Sequence, residues 1–93
     1  MRLVGRWTKL PNDACAERYP AEIEFREATY LARKGPGQGF IIWDAGMWEL
    51  AGPDQMRIGT ATDELVEYRY TLENDDLTFV DSAGCTFRYR RVD

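Results

Sequence analysis

Residues 65–81, LVEYRYTLENDDLTFVD, carry the clearest structural pattern in the chain. Large apolar or aromatic side chains stand at alternate positions on either side of a polar segment. They are Val66, Tyr68, Tyr70 and Leu72 before it, and Leu77 and Phe79 after it. A period of two is typical of strands with one buried face, and the polar residues 73–76 predict a tight turn. The stretch therefore predicts two neighbouring antiparallel strands.

The same alternation recurs along the rest of the chain, between clusters of turn-forming residues. Further strand-like runs are 3–9, 22–27, 30–34, 40–44, 47–51, 55–62 and 85–92. The links are short, which implies antiparallel neighbours, because parallel strands need long crossovers. An open meander would leave two unpaired edges, and closure removes them. We therefore expect an all-β fold: a small up-and-down antiparallel barrel of about eight short strands.

One short helix is expected after the first strand. Asn12 or Asp13 can cap it, and Pro20 closes it after about Tyr19. The chain of 93 residues makes one domain, 1–93. In the barrel interpretation this helix covers one end, either as a fixed connector or as a gate.

Charge and composition narrow the classes of function. The formal net charge is −4, which disfavours binding to nucleic acid or to an anionic membrane. The basic cluster at Arg88, Arg90 and Arg91 is interpreted as a solvated strand face whose arginines also serve as structural partners for nearby carboxylates. Histidine is absent, which removes the commonest general base and zinc ligand. No catalytic motif, metal site or cofactor motif is present, so we expect a soluble protein that is not an enzyme.

The two cysteines, Cys15 and Cys85, match no metal-binding or redox spacing. Strand-like sequence begins by Leu3, which predicts no signal peptide, and no apolar run is long enough to span a membrane. The default expectation is a cytoplasmic protein with both thiols reduced. If the chain is the processed form of a secreted protein, the two cysteines can instead pair.

Gly5-Arg6-Trp7 on the first strand resembles the Gly-x-Trp signature of lipocalins and related calycin barrels. The segment from Tyr70 through residues 84–91 is similar to the closing hairpin of small bacterial lipocalin-like domains. The resemblance implies that the first and last strands pair. It also implies that Trp7 plugs one end of the barrel and that an arginine of the last strand stacks on its ring. Arg91 is the best candidate, because it shares the parity of Phe87 and Tyr89.

A barrel of about eight strands has room for its own side chains or for one small ligand. The side chains expected to point inward are Trp7, Phe25, Trp48, Tyr68, Tyr70, Phe79, Phe87 and Tyr89. These rings can fill the interior completely. Alternatively, a small pocket remains at one end, where tyrosine hydroxyls orient a ligand. The candidate ligand-binding residues are then Tyr68, Tyr70, Trp48, Phe25 and Tyr89.

Three hypotheses of function follow. The first, favoured because of the resemblance, is a lipocalin-like binding protein for a small apolar or aromatic molecule. The second is a filled barrel that acts as an interaction, regulatory or inhibitor module through a surface patch or as a homodimer. Trp43 and Trp48 flank a bend, and one of these rings turned outward near Met47 would suit a protein contact. The third is an enzyme, for which buried carboxylates converging in a cleft are required.

Overall fold

In the computed structural model, which describes residues 3–11 and 14–92, eight antiparallel strands form a closed barrel. They are β1 (Gly5–Lys9), β2 (Glu22–Phe25), β3 (Thr29–Arg33), β4 (Ala45–Gly52), β5 (Gln55–Gly59), β6 (Leu65–Glu73), β7 (Asp76–Val80) and β8 (Thr86–Arg91). Each strand pairs with the next, and β8 returns to β1 with Arg91 opposite Trp7. The predicted up-and-down barrel is confirmed, and the architecture is compatible with a calycin-like fold.

The connections differ at the two ends of the barrel. At the turn end, tight links of residues 26–28, 53–54 and 74–75 join the strands. At the loop end, two longer connections lie over the opening: segment 34–44, and residues 10–11 with 14–21, which we call segment 10–21. We use these two names for the ends below.

The expected helix after β1 is one 3-10 turn, Ala14–Ala16, and the chain does not continue helically to Tyr19. The proposed caps Asn12 and Asp13 lie outside the described residues. Lys9 explains why segment 10–21 holds its place without a longer helix. Its ammonium donates hydrogen bonds to the carbonyls of Ala16, at 2.7 Å, and Tyr19, at 2.8 Å.

The prediction of a strand at residues 40–44 is wrong, although the alternating apolar pattern there does match which side chains are buried. Ile41 and Trp43 are buried and Phe40 is exposed, but the segment is a loop. The Asp44 carbonyl accepts the Ala32 N–H of β3 at 2.7 Å, but the middle of the segment bonds to other loops. The Ile42 N–H donates to the Arg18 carbonyl at 2.7 Å, and the Ile42 carbonyl accepts the Ala61 N–H at 2.7 Å. The alternating pattern therefore indicates which side chains point inward. It does not indicate that the segment pairs as a strand.

The two cysteines form a disulfide, with 5.9 Å between the Cα atoms of Cys15 and Cys85. The expectation of two reduced thiols is corrected accordingly. The pairing follows from the path of segment 10–21, which crosses the loop end and brings exposed Cys15 against the turn between β7 and β8. Their separation of 70 positions along the chain hides this proximity in the sequence.

Candidate functional site

The five predicted ligand-binding residues all face the interior, and four of them are buried. Those four are Phe25, Tyr68, Tyr70 and Tyr89, while Trp48 is half-buried. The hydroxyl of Tyr89 donates to the Pro20 carbonyl at 2.7 Å. The Trp48 indole N–H is also engaged, by the Arg26 carbonyl at 2.9 Å and the Thr29 carbonyl at 3.1 Å. These polar groups are therefore bonded to the protein itself.

Trp43 occupies the centre of the interior and is fully buried. Its ring makes edge contacts with Tyr19, Tyr68 and Phe79, at centroid distances of 5.0, 5.1 and 5.0 Å. Its indole N–H donates to the Tyr68 hydroxyl at 3.1 Å. Among the described residues, no buried side-chain nitrogen or oxygen lacks a hydrogen-bond partner. The interior thus resembles a closely packed core, in which the buried polar side chains are satisfied.

Tyr19 closes the interior at the loop end. Its ring stacks on Phe87 with centroids 3.9 Å apart, and its hydroxyl donates to Asp81 Oδ2 at 2.8 Å. The same carboxylate also accepts the backbone N–H groups of Ala83 and Cys85, at 3.0 and 2.8 Å. The ring on segment 10–21 is therefore fixed to the turn that holds the disulfide.

Burial raises the pKa of all five tyrosines, and we call four of them the core tyrosines. They are Tyr19, Tyr30, Tyr68 and Tyr89. The first cause in each case is desolvation, which disfavours the phenolate. None of these shifts moves a hydroxyl toward ionisation at neutral pH, so the core tyrosines act as neutral hydrogen-bonding groups.

Trp7 and Arg91 meet at the turn end. The guanidinium carbon of Arg91 lies 4.4 Å from the centroid of the buried Trp7 ring. The indole N–H donates to the Leu3 carbonyl at 3.0 Å, and Arg91 donates to the Val4 carbonyl at 3.0 Å. Asp75 approaches the guanidinium at 3.8 Å. This cluster fastens the segment before β1 across the barrel end, which is a structural task.

The outer face of β4–β6 carries an apolar groove. Met47 and Leu65 are 65% and 61% exposed, and between them lies Gly59, which has no side chain. Leu65 is paired with Gly59 across β5 and β6, and the pairing of Trp48 with Ile58 brings Met47 next to it on the other side. The space has a volume of about 360 Å³. We call it the Gly59 groove.

The floor of the Gly59 groove is fixed from inside the barrel. The Gly59 carbonyl accepts a hydrogen bond from the Tyr30 hydroxyl at 2.5 Å. Gly46 makes this close approach possible, because a Cβ there would stand 3.1 Å from the same carbonyl oxygen. A Cβ on Gly59 itself would meet the Met47 backbone at an ordinary 3.5 Å, on the outer side. The floor is thus held by a hydrogen bond from the core, and a larger side chain at position 59 would fill the groove.

Charged side chains border the groove on two sides. Two residues before Gly59 on β5, the guanidinium of Arg57 lies between two carboxylates. Its nitrogens are 2.9 Å from an oxygen of Glu49 on β4 and 3.8 Å from an oxygen of Glu67 on β6. On the other side, the turn between β5 and β6 carries Asp63 and Glu64, both exposed. The border therefore holds more negative than positive charge, around an apolar centre.

Other depressions on the surface have a different character. One of about 170 Å³ over β1–β3 is lined by the exposed apolar side chains of Leu31 and Val92 and by four charged residues, Arg6, Glu22, Glu24 and Arg33. Another of about 770 Å³ is an open space beside Tyr70, between the turns after β4 and β6. The Gly59 groove differs from both in that its two most exposed apolar side chains, Met47 and Leu65, flank a glycine whose backbone forms the floor. The Gly59 groove is for this reason our candidate functional site.

Sequence patterns indicate only part of this groove. Met47 and Leu65 have the parity opposite to the inward residues Trp48 and Val66, so alternation places them outward. The role of Gly59 depends on the cross-strand register, which one sequence does not specify. The two tryptophans beside the bend both turn toward the core, Trp43 fully and Trp48 in part, so neither supplies the outward ring considered above.

Two further features of the described residues bear on chemistry. In residues 3–11 and 14–92, no three side chains of the types that bind metals come together as a metal site. Over the same residues, no helix is long and apolar enough to cross a bilayer.

Comparison with known proteins places the chain in no family. No protein family, curated protein or solved structure matches it.

Proposed function

We propose that the protein is an interaction module: a filled, lipocalin-like barrel that binds another protein through the Gly59 groove. The observation that carries the proposal is the exposure of Met47 and Leu65 on both sides of Gly59. Large apolar side chains around a recess are typical of protein contacts, whose energy concentrates in a few buried anchors. The outer sheet thus offers a preformed receptor for one large side chain of a partner.

Because the interior is filled, a binding site on the outside of the barrel is favoured rather than a ligand inside it. A small molecule at the centre would have to displace Trp43, which bonds to Tyr68 and contacts three other rings. Removing a large ring from such a core costs about 3–5 kcal/mol. The ligand would need to restore that energy as well as replace the hydrogen bond. Binding at the groove requires neither.

The disulfide supports a location different from the cytoplasm. Bonds of this kind persist in oxidising compartments, whereas cytosolic thiols are kept reduced. The bridge between Cys15 and Cys85 joins the loop end to the last hairpin. We therefore propose that the module works outside a reducing compartment, with segment 10–21 held in place while the groove binds its partner.

A site-specific crosslinking experiment tests the groove. A photo-crosslinking residue replaces Leu65 in one variant and Thr71 in another, both on the outer face of β6. Each variant is expressed in the organism that makes the protein. We expect a defined adduct with a second protein at position 65 and none at position 71. The change Gly59→Val should abolish that adduct, because the valine side chain fills the floor.

The fold of the Gly59→Val variant is checked by its thermal midpoint. A strand glycine replaced without a clash should leave the midpoint unchanged or slightly higher. Gly39→Ala, in an open loop, is the matched control and should keep the adduct. Equal labelling at positions 65 and 71 would refute the proposal. An adduct of two copies of this chain would show instead that the groove is a homodimer interface. A small molecule that co-purifies with the protein in native mass spectra would favour ligand binding inside the barrel.

A further inference from the structure

We infer that the partner segment seated in the Gly59 groove presents a large aliphatic or aromatic side chain with lysine or arginine beside it. This inference rests on the proposed function and adds the chemistry of the partner. Its basis is the charge around the groove, taken together with how firmly those charges are held.

The turn between β5 and β6 holds two carboxylates at the groove border. Among the described residues, neither Asp63 nor Glu64 takes part in an ion pair. Both side chains are exposed beside Leu65. Their negative charge is therefore available to a cation that approaches along the groove.

A buried threonine keeps this turn in one conformation. The Thr60 N–H donates to the Glu64 carbonyl at 2.7 Å, and the Thr60 hydroxyl accepts the Glu64 N–H at 3.2 Å. Asp63 has a positive φ of 62°, which aspartate and asparagine tolerate better than most residues. Its N–H donates to the Thr60 carbonyl at 3.0 Å. Carboxylates held by such a turn need little ordering when a partner binds.

The strand row on the opposite border completes the negative field. Arg57 is already shared between Glu49 and Glu67, so this row adds one cation and two carboxylates. A partner with acidic side chains beside its anchor would be repelled from both borders. A basic partner would be attracted to both, and it would lose its advantage as salt screens the exposed charges. The same field excludes phosphate-rich surfaces as occupants.

Binding of defined peptides tests the inference. Three synthetic peptides share a central leucine, flanked by lysine and arginine, by aspartate and glutamate, or by glutamine and asparagine. Binding is followed through the methyl signals of the protein's methionines by NMR. Met47 lies on the groove and Met56 is buried in the core, so the second signal is an internal reference. We expect the basic peptide to shift Met47 alone and to bind about tenfold more tightly than the acidic one at low salt.

Charge-removing variants locate the source of the preference. Asp63→Asn combined with Glu64→Gln should weaken the basic peptide about fivefold. Asparagine keeps the tolerance for positive φ, and so the turn should persist. The control, Glu22→Gln with Glu73→Gln, removes the same charge from exposed positions outside the groove and should change nothing.

The outcomes separate this inference from the proposed function. Equal binding of all three peptides at Met47 would overturn the basic partner and leave the groove as a site. Tighter binding of the acidic peptide would do the same. Absence of a Met47 shift with the basic peptide at millimolar concentration would also overturn the inference, and the crosslink at position 65 would then decide separately whether the groove is used.

Discussion

The disulfide allows a quantitative prediction about stability. Replacing both cysteines, Cys15→Ala with Cys85→Ala, removes a link between positions 70 residues apart. In the chain-entropy description, a loop of that size restricts the unfolded chain by about 4 kcal/mol. Cys15 is exposed and Cys85 lies at the core edge, so little packing is lost in the folded state. We expect the double variant to unfold with a free energy about 4 kcal/mol lower.

Urea unfolding followed by tryptophan fluorescence measures this difference. Trp43 reports on the core, because it is fully buried in the folded protein. The wild type treated with a dithiol reductant is the matched comparison, and it should unfold together with the double variant. The far-UV circular dichroism of all three samples should agree before urea is added, since Lys9 and Tyr19 still hold segment 10–21 in place.

The slope of the unfolding curve adds a second check. A crosslinked unfolded chain stays more compact, so the oxidised wild type should show the smaller dependence on urea. The reasoning is refuted if the double variant and the oxidised wild type unfold within about 1 kcal/mol of each other. It is refuted equally if the reductant leaves the wild-type curve unchanged.

Three further outcomes are expected. Arg91→Lys keeps the charge but loses the planar group over Trp7, so the unfolding free energy should fall by about 1 kcal/mol in urea titrations, with the exposed Arg88→Lys as a neutral control. Trp43→Phe loses the hydrogen bond to Tyr68 and leaves a void, which should cost about 2–3 kcal/mol; an unchanged unfolding midpoint would contradict the central position of this ring. The raised pKa values of the core tyrosines favour the protonated folded state, so their contribution to the thermal midpoint should stay constant below their ordinary pKa of 10 and fall above it. Tyrosinate absorbance that rises near pH 10 while the protein stays folded would contradict that burial.

Patterns local in sequence predicted the barrel well. The hairpin of β6 and β7 follows from alternating side chains around one polar turn, and the pairing agrees, with Tyr70 opposite Phe79. The meeting of Trp7 with Arg91 was expected from a family resemblance combined with strand parity, and the register places the two residues opposite each other.

Features that depend on how distant loops meet were not predictable. The loop segment 40–44 has the alternation of a strand, because the same inward and outward positions arise when a loop covers a barrel end. The path of segment 10–21 determines the disulfide, and no periodicity describes that path. The Gly59 groove arises from register across three strands, since a missing side chain makes a recess only when its neighbours on both sides are large.

The pairing of β1 with β8 has a consequence for how quickly the protein folds. The Val92 N–H donates to the Arg6 carbonyl at 2.9 Å, and Arg91 bonds to the Val4 carbonyl 87 positions away. The first and last strands can thus pair only when nearly the whole chain has been arranged. The hydrogen bonds between them therefore stabilise the fold only late in folding. Small β-proteins with such high contact order refold over milliseconds to seconds, orders of magnitude slower than helical bundles of this size.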